Sequence, residues 1–214
     1  IGTSQFPTYL YTTGSSETPD EPDVPVVPDE PDVPDAPVAG EVVTAPEAET
    51  AYYLGVDIGT KLYINGNTAS NGSWYLATTP NTADAVQVKL ETAGDGYVLY
   101  FMKGEAKTYI RIYERTDDKA GYGKGSLELT ATKPAEVLKF DSSVNTLVYT
   151  ADADNSYYLG TYINKNTGSP YETLSVSNTF YITGDKASTI GTSQFPTYLY
   201  TTGSSETPDE PDVP

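Results

Sequence analysis

From Ala51 onward the apolar residues fall in short runs, alternating with polar ones and ending at Gly, Asn, Asp or Pro. A period of two broken by turn residues predicts β-strands, and no stretch sustains the 3.6-residue period of an amphipathic helix. The strands form three groups of four. The first group covers 52–56, 61–64, 74–77 and 85–91. The second covers 97–101, 108–112, 127–131 and 136–141, and the third 147–149, 157–160, 180–182 and 195–200. This rhythm predicts an all-β domain of β-trefoil-like, pseudo-threefold architecture, with six strands closing a barrel and six forming hairpins across one end. An Ig-like β-sandwich is the alternative. The expected core comprises Leu54, Leu62, Ile64, Leu76, Val86, Val88, Leu90, Leu99, Ile110, Ile112, Leu129, Leu138, Phe140, Leu147, Leu159, Ile182 and Leu199. Threefold symmetry would make Leu76, Leu129 and Ile182 equivalent. It would likewise relate Val88, Leu138 and a residue near Tyr198.

Ahead of Ala51 the pattern is different. Residues 14–50 are rich in Pro, Asp, Glu, Val and Thr, and Pro-Asp-Glu-Pro-Asp-Val-Pro occurs at Pro19 and again at Pro28. Closely spaced prolines fix φ and bias their neighbours to extended geometry, and like charges stretch the chain further, so a polyproline II linker is expected. At ~3.1 Å per residue such a linker would span on the order of 100 Å.

A longer repeat encloses this linker. Residues 1–25 return unchanged as residues 190–214, an offset of 189. The organisation read from this is a terminal strand of a preceding repeat (1–13), an acidic linker (14–50), a β-trefoil-like domain (51–202) and the start of the next linker (203–214). Residues 1–13 would then be hosted by an adjoining identical repeat, which is the expected partner.

Charge follows the same division. The formal net charge is −18, yet no Lys or Arg precedes Lys61. Between 51 and 189 there are 15 acidic and 12 basic residues, so the acidity lies mainly in the linkers. Nucleic acid and anionic membranes need clustered Lys or Arg, and neither partner is expected. No apolar run is long enough for membrane insertion by a helix. The chain has no Cys and no His, which removes disulfides, thiol chemistry and imidazole-based catalysis. No cofactor is expected.

The phrases Tyr-Tyr-Leu-Gly at 52–55, Trp-Tyr-Leu-Ala-Thr-Thr at 74–79 and Gln-Phe-Pro-Thr-Tyr-Leu-Tyr at 194–200 resemble those of β-rich accessory domains in large secreted proteins of Gram-positive gut bacteria. The resemblance covers most of 52–200. It implies an extracellular, cell-surface setting and carries over no defined activity.

Candidate chemistry is sparse. Nineteen tyrosines and Trp74 invite a sugar-binding reading, because aromatic faces stack on pyranose rings. The best local constellation is Trp74 with Asn71 and Asp57. Asn71-Gly72-Ser73 is also a glycosylation sequon, and Ser and Thr between Thr12 and Thr18 are candidates for O-glycans. Asp152-Ala153-Asp154-Asn155 resembles the opening of a calcium loop but lacks its Gly and distal Glu. A Lys–Asn isopeptide cross-link has its ingredients but no sequence pattern to mark the pair. No acidic pair sits in a catalytic motif, so the chain is read as a non-enzyme. The expected function is a structural repeat unit of a long extracellular fibre or stalk on a bacterial surface. The alternative is a multivalent carbohydrate-binding adhesin.

Overall fold

The computed structural model describes residues 37–69, 74–116, 125–152, 156–177, 192 and 194–204. The chain divides into two compact units, Ile1–Pro34 and Asp35–Pro214, and every described residue belongs to the second. The fold is all-β. Its strands are β1 (Pro37–Val42), β2 (Ala51–Asp57), β3 (Lys61–Thr68), β4 (Leu76–Thr79), β5 (Gln87–Ala93), β6 (Gly96–Lys103) and β7 (Ala106–Glu114). They continue with β8 (Gly125–Thr130), β9 (Leu138–Asp141), β10 (Thr146–Thr150), β11 (Ser156–Tyr162), β12 (Ser175–Ser177), β13 (Gln194–Pro196) and β14 (Tyr198–Ser204). A 3-10 turn at Thr82–Asp84 is the one helical element among the described residues, so none of them forms a helix long enough to cross a membrane.

All ladders are antiparallel, and the same pairing occurs three times. Strands β2, β6 and β10 each pair with the next strand, β3, β7 and β11. Those pair in turn with β4, β8 and β12. Each group is then joined to another through its last strand: β5 to β6, β9 to β10, and β14 to β2. The registers agree as well as the order. Leu90 faces Leu99, Phe140 faces Leu147, and Leu199 faces Leu54. Strands β5 and β9 also pair with the first strand of their own group, β2 and β6. No ladder joins β14 to β10 among the described residues, so the sheet is not closed by main-chain pairing. Across that gap the Thr146 hydroxyl donates to the Thr197 carbonyl at 2.5 Å.

One main core gathers the inward aliphatics, including Leu54, Ile64, Leu76, Val88, Leu90, Leu99, Ile110, Leu138, Leu147, Leu159 and Leu199. Val86, Leu129 and Phe140, expected in the core, are only partly buried against it. Ile182 lies outside the described residues. The register also corrects one equivalence. Leu129 pairs with Ile110 as Thr78 pairs with Ile64 and Val176 with Leu159, so Thr78, not Leu76, matches Leu129. Two residues earlier on each strand sit Leu76, Leu127 and Leu174, all at most 1% exposed. The third-group hairpin therefore uses 175–177. There Leu174 and Val176 alternate with Thr173, Ser175 and Ser177, a short period-two run easily passed over between turn residues. The expected strand at 180–182 lies outside the described residues.

Tyrosines form a second layer. Tyr53 and Tyr63 cluster with Tyr200, Tyr100 and Tyr109 with Val98, and Tyr158 with Val148. Each cluster sits between the first and second strands of one group, at the paired positions Gly55–Tyr63, Tyr100–Tyr109 and Val148–Tyr158.

The sheet begins inside the stretch read as linker. Pro37–Val42 pairs with β14, from Pro37 against Ser204 to Val42 against Tyr200. As β1 is an edge strand, a proline can head it without breaking a ladder. The polyproline II expectation for the preceding residues and the expected placement of residues 1–13 both lie outside the described residues.

Candidate ligand-binding cleft

The β2–β3 turn borders an open cleft with polar and aromatic walls. Asp57 ends β2 opposite Lys61, and its Oδ1 accepts the Gly59 N–H at 3.0 Å. Gly59 has φ +92°, which L side chains rarely adopt, so glycine is what lets this short turn close. Facing the turn are Phe195 of β13 and Tyr198 at the start of β14. Together Asp57, Ile58, Gly59, Phe195 and Tyr198 line a cleft of about 500 Å³.

The tyrosine cluster adjoins these residues. Tyr63 lies 5.6 Å from both Tyr53 and Tyr200, and Tyr198 lies 6.4 Å from Tyr200, centroid to centroid. The Lys61 ammonium stands 4.9 Å from the Tyr200 ring centre. Burial raises the hydroxyl pKa of Tyr63, Tyr198 and Tyr200, and the Asp57 carboxylate is the next cause for all three. The cleft thus combines the Asp57 carboxylate with the aromatic faces of Phe195 and Tyr198 and the phenol of Tyr198. That chemistry suits a polyhydroxylated ligand.

Of the sequence candidates, Asp57 lines this cleft. Asn71 lies outside the described residues. Trp74 sits at the other end of β3, since Thr68 pairs with Leu76 while Asp57 pairs with Lys61. Seven residues of strand, at ~3.3 Å each, separate those ends by roughly 23 Å. The Trp74 ring is covered by the Arg115 guanidinium, 4.7 Å from its centre. Asp152 is described but 153–155 are not. The aromatic residues of the cleft, Phe195 and Tyr198, carry no local signal, because they meet Asp57 from the far end of the domain. A second aromatic pair, Tyr162 and Tyr171, is surface-exposed with centroids 5.1 Å apart.

Charge elsewhere ties strands together. Glu91 of β5 accepts from Lys107 of β7 at 2.6 Å and from Lys133 beyond β8 at 2.5 Å. Those hydrogen bonds, Lys107 first, hold the Glu91 carboxyl down at about 2. Arg111 of β7 forks onto Glu136 at 2.9 and 2.5 Å and reaches Glu128 of β8 at 3.3 Å. Among the described residues no three acidic side chains converge as a metal site would need. Comparison with protein-family models, curated proteins and solved structures finds no match for the chain.

Proposed function

We propose that this chain is a structural repeat unit of a long extracellular fibre or stalk on a bacterial surface, built from β-trefoil-like domains on acidic proline-rich linkers. The observation that carries the reading is the unchanged return of residues 1–25 at 190–214. That segment includes the sequence of β13 and β14, the last strands of the domain, together with the start of the linker. An array with this period repeats domain and spacer as one module. Repetition in series gives a spacer length and gives a binder avidity, whereas it adds little to an enzyme.

The trefoil reading is supported by the threefold pairing and by the Thr146–Thr197 bond, which bridges the one barrel seam without a ladder. A domain stiffened by cross-strand carboxylate clamps suits a load-bearing role. Electron microscopy of native material tests the proposal: regular filaments with an axial repeat of one domain plus one linker are expected, and isolated compact particles would count against it.

A carbohydrate-binding adhesin is the second reading, favoured by the cleft that joins Asp57 to Tyr198 and Phe195. A glycan array on one unit separates the two. Specific binding abolished by Tyr198→Ala, with the fold intact, would move the function to adhesion.

A further inference from the structure

The pairing that occurs three times lets the cleft be compared with its own counterparts. Tyr198 is the Cα partner of Gly55, and Lys89 and Lys139 hold the same register against Tyr100 and Val148. Asp57, opposite Lys61, corresponds to Met102 opposite Lys107 and to Thr150 opposite Ser156. The scaffold therefore forms these two positions with a lysine beside a methionine or a threonine, and the fold does not require the tyrosine and carboxylate of the first group. Gly55 departs from the pattern as well. An added Cβ there would lie 2.7 Å from the Tyr63 ring, so no side chain stands opposite Tyr198 where Tyr100 and Val148 stand in the other groups. Residues that break a pattern the same fold satisfies elsewhere mark the place where a function is added to it.

The chemistry of the departure is specific. Asp57 is exposed, and the Gly59 N–H takes only one of the roughly four acceptor sites of its carboxylate. Among the described residues no lysine or arginine forms an ion pair with it, and the Lys61 ammonium across the hairpin sits over the Tyr200 ring instead. The remaining acceptor capacity lies beside the rings of Phe195 and Tyr198, in a cleft of about 500 Å³. Lys139, a counterpart of Tyr198, is by contrast committed to Asp95 at 2.5 Å. A carboxylate accepts two neighbouring hydroxyls as charge-assisted bonds, an aromatic face covers the apolar C–H side of a pyranose, and the same carboxylate repels an acidic sugar. We propose that the domain binds one uncharged hexose unit, at this one of its three equivalent places, with two adjacent sugar hydroxyls donating to Asp57 and the apolar ring face laid on Tyr198. The inference rests on the sugar-binding reading above and narrows it to neutral hexoses and a single site per domain.

The test is an NMR titration of the full chain with the methyl glycosides of glucose, galactose and mannose, and with glucuronic acid as the charged arm. At least one methyl hexoside is expected to shift the amides of Gly59 and Tyr198 while those of Lys89 and Lys139 stay in place, and glucuronic acid is expected to bind more weakly than that hexoside. Asp57→Asn keeps an acceptor for the Gly59 N–H but loses the charge, and should weaken binding at least ~10-fold, the equivalent of one charge-assisted hydrogen bond. Tyr198→Lys installs the residue that both counterparts carry, so the cooperative thermal transition should persist while binding disappears. Binding that Asp57→Asn leaves unchanged, shifts that arise equally at Lys89 or Lys139 or only elsewhere, or glucuronic acid bound as tightly as the hexosides would overturn the inference and leave sugar binding standing. If none of the sugars shifts any amide, the sugar-binding reading itself fails, and the inference with it.

Discussion

Leu76 and Leu174 exchange two main-chain hydrogen bonds, 2.9 and 3.1 Å, across 98 residues of sequence, and both side chains are at most 1% exposed. They belong to the hairpins of the first and third groups, so their contact locks two of the three structural groups against each other. Truncating either, as Leu76→Ala or Leu174→Ala, removes a buried side chain from a site held on both sides by backbone. A loss of about 2–5 kcal/mol is expected, read from urea unfolding midpoints at unchanged m-value.

Within the third group a side-chain bond bridges β10 and the head of β14, where the first and second groups join their first and last strands by ladders. Thr146 is 1% exposed and its hydroxyl serves the Thr197 carbonyl. Thr146→Val keeps the shape but leaves a buried carbonyl without its donor, at a cost of about 1–3 kcal/mol. Hydrogen exchange at the Thr197 amide should quicken in the variant; unchanged exchange there would mean the seam is held by packing alone.

Acid stability should depend on Glu91. Its carboxyl, bonded to Lys107 and Lys133, titrates at about 2 in the folded chain against an ordinary 4.5. The folded state therefore binds this proton less readily than the unfolded state. The resulting stabilisation is fully present above pH 4.5 and is lost as the pH falls toward 2. Glu91→Gln should lower stability at neutral pH and flatten its decline over that window. Parallel pH profiles for the two proteins would rule this out.

The opposite limb belongs to the buried phenols. Burial first, then the Glu114 carboxylate, pushes the Tyr157 hydroxyl up to about 12, and burial raises Tyr200 as well. Each folded-state pKa lies above the ordinary 10.0, so the folded state holds these protons more tightly. Their stabilisation is complete below pH 10 and disappears as the pH rises through 12. Alkaline unfolding should coincide with tyrosinate absorbance, and Tyr157→Phe should shift the midpoint upward. Tyrosine ionisation completed well before the fold is lost would contradict the assignment.

The positions of most strands were legible in the sequence, because alternation and turn residues act locally. The one group displaced from expectation shows the limit. Leu174 and Val176 supply only two apolar positions, and it is their neighbours Leu76 and Leu159 that make a strand of 175–177.

By itself the sequence determined the all-β class, the threefold rhythm of strands, the aliphatic core and the return of residues 1–25 at an offset of 189, since each follows from spacing along the chain. Tertiary structure alone decided which tyrosines are buried, because alternation says which residues share a face and not whether a hairpin covers it. It also decided that Pro37–Val42 joins the sheet, a matter of the free edge of β14. Finally, it brought Asp57 to Tyr198 and left Trp74 elsewhere: β14 lies beside β2, whereas Trp74 is carried to the far end of β3, and no local pattern encodes that choice of neighbour.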